Sequence, residues 1–187
     1  MSGGRPAILL DRDGTIIVER DYLSDPAKVE LEAGAIEGLQ LLSQAGWPLV
    51  VLTNQSGIAR GYFDRDAADA VNARVAALLA ERGVAIEGWY LCPHGPGEGC
   101  DCRKPMPGMA LQAAAELDLN LGRSWMIGDK KSDVLLADAV SATGLLVLTG
   151  HAEADAIWAR SSGRIVAMDL REAAERIFLA CAGRQTA

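Results

Sequence analysis

The sequence predicts an α/β chain built on a single-domain, Rossmann-like, doubly wound parallel sheet with no large cap domain. Three observations predict it. Six short apolar runs recur along the 187 residues, mostly without polar alternation, as strands buried on both faces require. Segments with apolar residues three and four apart separate them, giving the strand–helix alternation of a parallel sheet. Carboxylates, hydroxyls and lysines gather just after several of the runs, and the carboxyl ends of such strands are where ligands bind.

Taken in order, the first strand is expected at Ala7–Leu10, running into Asp11, Asp13, Gly14 and Thr15. The stretch from Glu19 to Ala33 lacks periodicity and is expected to arch over that strand as a loop or short hairpin. Ile36, Leu39, Leu42 and Ala45 mark a helical stripe stopped by Gly46 and Pro48, a helix-ending pair. A second strand at Leu49–Thr53 precedes a helix capped by Asp64, presenting Ala68, Val71, Val75, Leu78 and Leu79 and ended by Gly83. Trp89–Cys92 is the third strand, and Pro107 suits the first turn of a helix reaching about Leu117. Strands at Trp125–Ile127, Gly144–Leu148 and Ile165–Ala167 then alternate with helices at Ser132–Val140, Glu153–Arg160 and Leu170–Ala182. One domain over residues 1–187 accounts for all of it, because no repeat, linker or stretch long enough for a separate cap interrupts the pattern.

Composition excludes several classes of function. A formal charge of −7 argues against a nucleic-acid surface. No apolar run approaches the roughly 18 residues of a membrane span, and Met1–Pro6 lacks the apolar core of a secretory signal. A cytoplasmic protein is expected, and a monomer, since 5% aromatic content offers no large apolar patch. Three of the four lysines, Lys104, Lys130 and Lys131, fall in two short segments, which hints at a local anion site.

Asp11 and Asp13 sit one residue apart, so an extended chain points them the same way, and Gly14 lets it turn. Two such anions repel unless a cation or a shared proton offsets them. A divalent, oxygen-seeking metal does so, and a carboxylate beside it can act as nucleophile. D-x-D-G also occurs in calcium loops and acidic turns, which this motif alone leaves open. Thr53, followed by Asn54, Gln55, Ser56 and Gly57, is either a phosphate seat of hydroxyl and backbone amides or an ordinary turn. Cys92, His94, Cys100 and Cys102 crowd into eleven residues as a closed Cys₃His set, which suits a structural Zn2+. Cys181 stands apart as a plain thiol. In Arg103-Lys104-Pro105 the proline restricts Lys104, a point cation for phosphate, while Arg103 can grip an oxyanion with both nitrogens. Asp129, after the strand ending at Ile127, completes a metal site with Asp11, and Mg2+ suits so few protein ligands. Asp133, a helical turn on, is expected to orient a metal-bound water or a lysine.

All four motifs in this order resemble the haloacid dehalogenase superfamily of phosphohydrolases. The string TNQSGIARG and the cysteine loop are similar to its branch of heptose bisphosphate and histidinol-phosphate phosphatases. The resemblance runs from about Ala7 to Leu148. It implies that Asp11 attacks phosphorus to form an aspartyl-phosphate, while Asp13 protonates the leaving oxygen and then activates water. It further implies that Thr53 binds the phosphoryl group and Lys104 offsets its charge. Mg2+ would be held by Asp11, the Asp13 backbone carbonyl and Asp129. Sugar contacts would come from Glu19, Arg20, Asp21 and Tyr22 and from Thr53, Asn54, Gln55 and Ser56. Arg103 would recognise substrate, and Lys130 would lie near metal and phosphate. The implied partner is a small phosphorylated sugar, of the kind that supplies heptose for lipopolysaccharide core. Histidinol-phosphate phosphatases share every motif; a standalone chain leans to the heptose side. A polynucleotide 3′-phosphatase is disfavoured by the acidic charge, and a phospho-accepting receiver module by Asp13 and the cysteine loop.

Overall fold

The computed structural model of the chain describes residues 3–151 and 153–184. Its strands are β1 (Ile8–Leu10), β2 (Leu49–Asn54), β3 (Gly88–Cys92), β4 (Trp125–Gly128), β5 (Thr143–Val147) and β6 (Ile165–Ala167). They pair in parallel in the order β3-β2-β1-β4-β5-β6. The helices are α1 (Ala35–Gln44), α2 (Arg65–Ala80), α3 (Gly108–Leu117), α4 (Lys131–Ala139), α5 (Glu153–Ser161) and α6 (Leu170–Arg184).

The unbroken apolar runs reflect burial on both sides of the sheet. Ile8, Leu10, Val51, Ile127 and Leu145 pack with Leu39 and Leu42 of α1, Val71 and Val75 of α2 and Ile177 of α6. The alternate residues Leu9, Val50, Leu52 and Met126 pack with Met109 and Ala113 of α3 and Leu136 of α4. In register, Leu9 lies opposite both Val50 and Met126, so β1 is an internal strand and forms the centre of the sheet with β4. β5 starts one residue earlier than its apolar run suggests, because pairing begins where the Thr143 N–H donates to the Ser124 carbonyl at 3.0 Å.

The arch after β1 is a short hairpin-like pairing. The Val18 N–H donates to the Glu30 carbonyl (2.9 Å) and the Glu32 N–H to the Ile16 carbonyl (3.0 Å). A single 3-10 turn at Pro26–Lys28 lies inside it. No inserted cap domain stands between the described elements. Among the described residues no helix is long and apolar enough to cross a membrane.

The chain leaves β1 toward β2 and β3 on one side, and β4, β5 and β6 build outward on the other. That reversal opens a crevice beyond the carboxyl ends of β1 and β4, where ligands of open α/β sheets bind.

Candidate active site

Asp11 emerges from β1 and Asp129 from β4, on either side of this crevice. The Asp11 N–H continues the ladder to the Ile127 carbonyl at 2.9 Å, which fixes where its side chain starts. Asp133 joins them from the first turn of α4, where its carboxylate also caps the helix by accepting the Lys130 N–H at 3.0 Å. Oxygens of Asp11, Asp129 and Asp133 lie within 4.8 Å of one another, and all three residues are buried. Two glycines make this approach possible. A side chain on Gly14, at φ 78°, would collide with the Asp129 carboxylate, and one on Gly128 would collide with that of Asp133.

Three carboxylates this close need positive charge. Lys104 supplies part of it, with Nζ 2.7 Å from Asp11 Oδ1 and 2.8 Å from Asp133 Oδ1. Burial alone would lower its ammonium, but the Asp11 and Asp133 carboxylates outweigh that and hold it above its usual range. Asp129 is not relieved in the same way. Burial first, then the Asp11 charge, push its carboxyl up to about 8, against the pull of Lys130 and the His151 amide. Burial likewise raises Asp133 to about 6 despite Lys104. One Asp129 oxygen, Oδ2, accepts the His151 N–H at 2.9 Å, whereas the buried Oδ1 has no hydrogen-bond partner among the described residues. An unpartnered carboxylate oxygen beside two further carboxylates fits a hard divalent cation.

Asp13 faces the same cavity through a different set of bonds. Its Oδ2 accepts Gln55 Nε2 at 2.8 Å and stands 3.5 Å from Thr53 Oγ1, which also accepts a hydrogen bond from Gln55 at 2.8 Å. The Asn54 amide grips the Lys104 backbone from both sides: Oδ1 accepts its N–H (3.0 Å) and Nδ2 donates to its carbonyl (3.2 Å). The tip of β2 therefore positions the lysine.

The cavity above these groups measures about 330 Å3 and is lined by Asp11, Asp13, Glu19, Asp21, Tyr22, Asn54, Gln55, Ser56, Arg103, Lys104, Lys130 and His151. Lys130 Nζ pairs with Glu19 at 2.9 Å across its mouth. Tyr22 meets Tyr62 edge to face, ring centroids 4.8 Å apart.

Beside the cavity, Cys92, His94, Cys100 and Cys102 converge. Cys92 Sγ lies 3.8 Å from Cys100 Sγ and 3.5 Å from His94 Nδ1, and Cys102 Sγ lies 3.2 Å from both Cys92 Sγ and His94 Nδ1. Tetrahedral ligands at ordinary metal–sulfur and metal–nitrogen distances stand about 3.5–3.8 Å apart, so the cluster could hold a metal ion. Without a metal, burial first, then the Cys102 thiol, push the Cys92 thiol up to about 12. Arg103 Nη1 donates to the His94 carbonyl at 3.1 Å, tying the cluster to the cavity wall.

Known proteins resemble this chain closely. Residues 101–173 match the family model described as HAD-hyrolase-like. A D-glycero-beta-D-manno-heptose-1,7-bisphosphate 7-phosphatase from Pseudomonas putida is 44% identical over 147 residues, 78% of this chain and 84% of the relative. One from Yersinia pestis is 41% identical over 175 residues, 87% of this chain and 93% of the relative. This chain belongs to the heptose bisphosphate phosphatase family. Of solved structures, a D,D-heptose 1,7-bisphosphate phosphatase from B. bronchiseptica, complexed with magnesium and phosphate, matches with a TM-score of 0.86. It is 33% identical, over 94% of this chain and 99% of that one. The expected haloacid-dehalogenase-like fold and phosphatase class are both met.

Of the residues expected to form this heptose bisphosphate phosphatase site, nearly all converge. Thr53 and Asp129 are buried next to the lining residues Asp13 and Asp11 and are not themselves among those that line the cavity. Arg20 is the exception: it pairs with Glu30 at 2.5 Å and does not line the cavity. Asn54 and Gln55 line it, and their amides also bond Lys104, Asp13 and Thr53. Asp133 meets Lys104, one of the two partners expected for it. Sequence reasoning missed His151, whose amide holds Asp129, and Arg12, whose buried guanidinium bonds Asp13. The position of His151 just past β5, at the ligand-binding end of the sheet, was the available signal.

Proposed function

We propose that this chain is a magnesium-dependent phosphomonoesterase that removes the 7-phosphate of D-glycero-beta-D-manno-heptose 1,7-bisphosphate by way of an aspartyl-phosphate on Asp11. The observation that carries the reaction is the buried Lys104 ammonium 2.7 Å from Asp11, beside an Asp129 oxygen with no hydrogen-bond partner among the described residues. The substrate rests on relatives of that name at 41–44% identity.

Both the Arg12 N–H and Lys104 contact Asp11 through Oδ1, at 2.7 Å each. Oδ2 is then the attacking atom, bonding to phosphorus as the P–O bond to the sugar breaks. Asp13 gives its proton to the sugar oxygen and takes one back from the water that opens the acyl phosphate. The Thr53 hydroxyl and the Lys104 ammonium hold phosphoryl oxygens as charge builds on them. Asp11, the Asp13 carbonyl and Asp129 would hold Mg2+, which when bound offsets phosphate charge. Arg103, Lys130, Glu19 and Tyr22 at the mouth would grip the sugar hydroxyls and the second phosphate. Free cysteines fit a reducing cytoplasm, and a monomer completes the reading. Parallel turnover of the heptose bisphosphate and histidinol phosphate tests the substrate. The heptose compound is expected to have a kcat/KM at least about a hundredfold higher, because unfilled polar groups at the mouth penalise the wrong ligand. A preference for histidinol phosphate would overturn it.

Magnesium should also alter the pH dependence of stability. With Asp129 and Asp133 raised from 3.8 to about 8 and about 6, the metal-free fold holds more protons than the unfolded chain between those values. That contribution is complete below the unfolded carboxylate pKa and is lost as pH rises through about 6 and about 8. A cation that takes the ionised carboxylates restores it. Mg2+ is therefore expected to raise Tm more at pH 8 than at pH 6. Equal shifts would count against the site.

The Cys₃His cluster would hold a structural Zn2+. Cys102→Ala is expected to abolish zinc retention, measured by elemental analysis, and to cost about 4 kcal/mol, the scale of a lost structural metal. Full zinc content in that variant would remove the cluster from the account.

A further inference from the structure

Arg12 stands between the two aspartates, and nothing in the reaction above uses its side chain. That side chain is fully buried, rare for arginine unless its charge is met. It does not line the cavity but turns back on Asp13 with a two-pronged grip, Nε to Oδ2 and Nη2 to Oδ1, each 3.1 Å. Its third nitrogen, Nη1, donates to Asn72 Oδ1 at 2.6 Å. Asn72 is itself buried, on a face of α2 otherwise formed by Ala68, Val71, Val75 and Leu79. An amide among apolar side chains is costly unless bonded, and here the guanidinium is what bonds it. The planar fork matches both oxygens of a carboxylate, a fit an ammonium cannot reproduce.

We infer that Arg12, braced by Asn72, is a positioning residue for the proton transfer at Asp13. The fork fixes the plane of the Asp13 carboxyl and stabilises the anion left when its proton departs. The inference rests on the phosphomonoesterase reading. In the step concerned, the bond from Asp11 oxygen to phosphorus forms while the bond from phosphorus to the alcohol oxygen breaks. The Asp13 proton ends on that alcohol oxygen. An alkoxide needs this proton in order to leave, whereas a nitrophenolate departs as a stable anion. Loss of the fork must therefore depend on the leaving group.

The test compares kcat/KM for a sugar phosphate and for p-nitrophenyl phosphate, since this ratio reports only steps up to phosphoenzyme formation. Arg12→Met is expected to lose roughly 10²-fold on the sugar phosphate, the scale of general acid catalysis, and less than about tenfold on the aryl ester. Arg12→Lys should show the same unequal loss, because an ammonium cannot rebuild the fork. Asn72→Ala leaves both charges in place and should show the same inequality at smaller size; it carries the comparison if Arg12→Met does not fold. Equal losses on the two substrates, or no loss on the sugar phosphate, would overturn the inference. A wild-type protein that hydrolyses neither substrate would instead refute the phosphatase reading, before any variant is compared.

Discussion

Asp11→Asn is expected to lower turnover by on the order of 10⁵–10⁶-fold, the scale on which removal of a catalytic nucleophile acts, while leaving the protein folded. Asparagine keeps the shape of the side chain, and its amide oxygen can still accept the Arg12 N–H now bonded to Oδ1. Lys104 keeps its second partner, Asp133, at 2.8 Å, so the buried ammonium is not orphaned. What disappears is the oxygen that bonds to phosphorus, together with one of three clustered charges. Acid-quenched enzyme should carry phosphate on the peptide containing Asp11 in the wild type and none in the variant. Residual turnover within about a hundredfold of wild type would mean that phosphorus is attacked by something else, because positioning and charge effects alone are worth about that much.

The readable parts of the site share one property. Asp11, Thr53 and Asp129 are polar residues at or just past the end of a buried apolar run, where a polar side chain without a ligand would be costly. The strands were readable for the same reason, since burial on both faces leaves no polar alternation. Their lateral order was not, because Leu9 packs as well beside Val50 as beside Met126, and an apolar run does not specify its neighbours. The partly exposed patterns of β3 and β6 are the trace that their edge positions leave.

What was missed was missed for physical reasons. Alternation sends Arg12 away from Asp11 and Asp13, so by sequence it resembles a solvated charge. Only the polar Asn72 inside the apolar stripe of α2 pointed to a buried partner. His151 holds Asp129 by its backbone N–H, a bond any residue except proline can make, so no side-chain pattern records it. Asn54 and Gln55, expected at the sugar through family resemblance, line the cavity, and their amides also support Lys104 and Asp13, a bond pattern no sequence motif records.

Lys104→Met should be costly in both stability and rate. The ammonium is buried against Asp11 and Asp133, and the raised pKa of Lys104 reflects how strongly they hold its proton. Methionine fills the volume but leaves buried carboxylates without their cation, a loss of about 3–5 kcal/mol for a broken buried pair. The direct rate loss should be on the order of 10²–10³-fold, as for removal of one donor to a developing oxyanion. Magnesium separates the two effects. By offsetting the same carboxylates it should stabilise the variant more than the wild type in urea denaturation, yet it cannot replace the charge that Lys104 presents to phosphate. Recovery of stability with Mg2+ and no recovery of kcat is the expected pattern. If both recover together, the lysine is only a counter-ion to its neighbours, and its part in the chemistry must be given up.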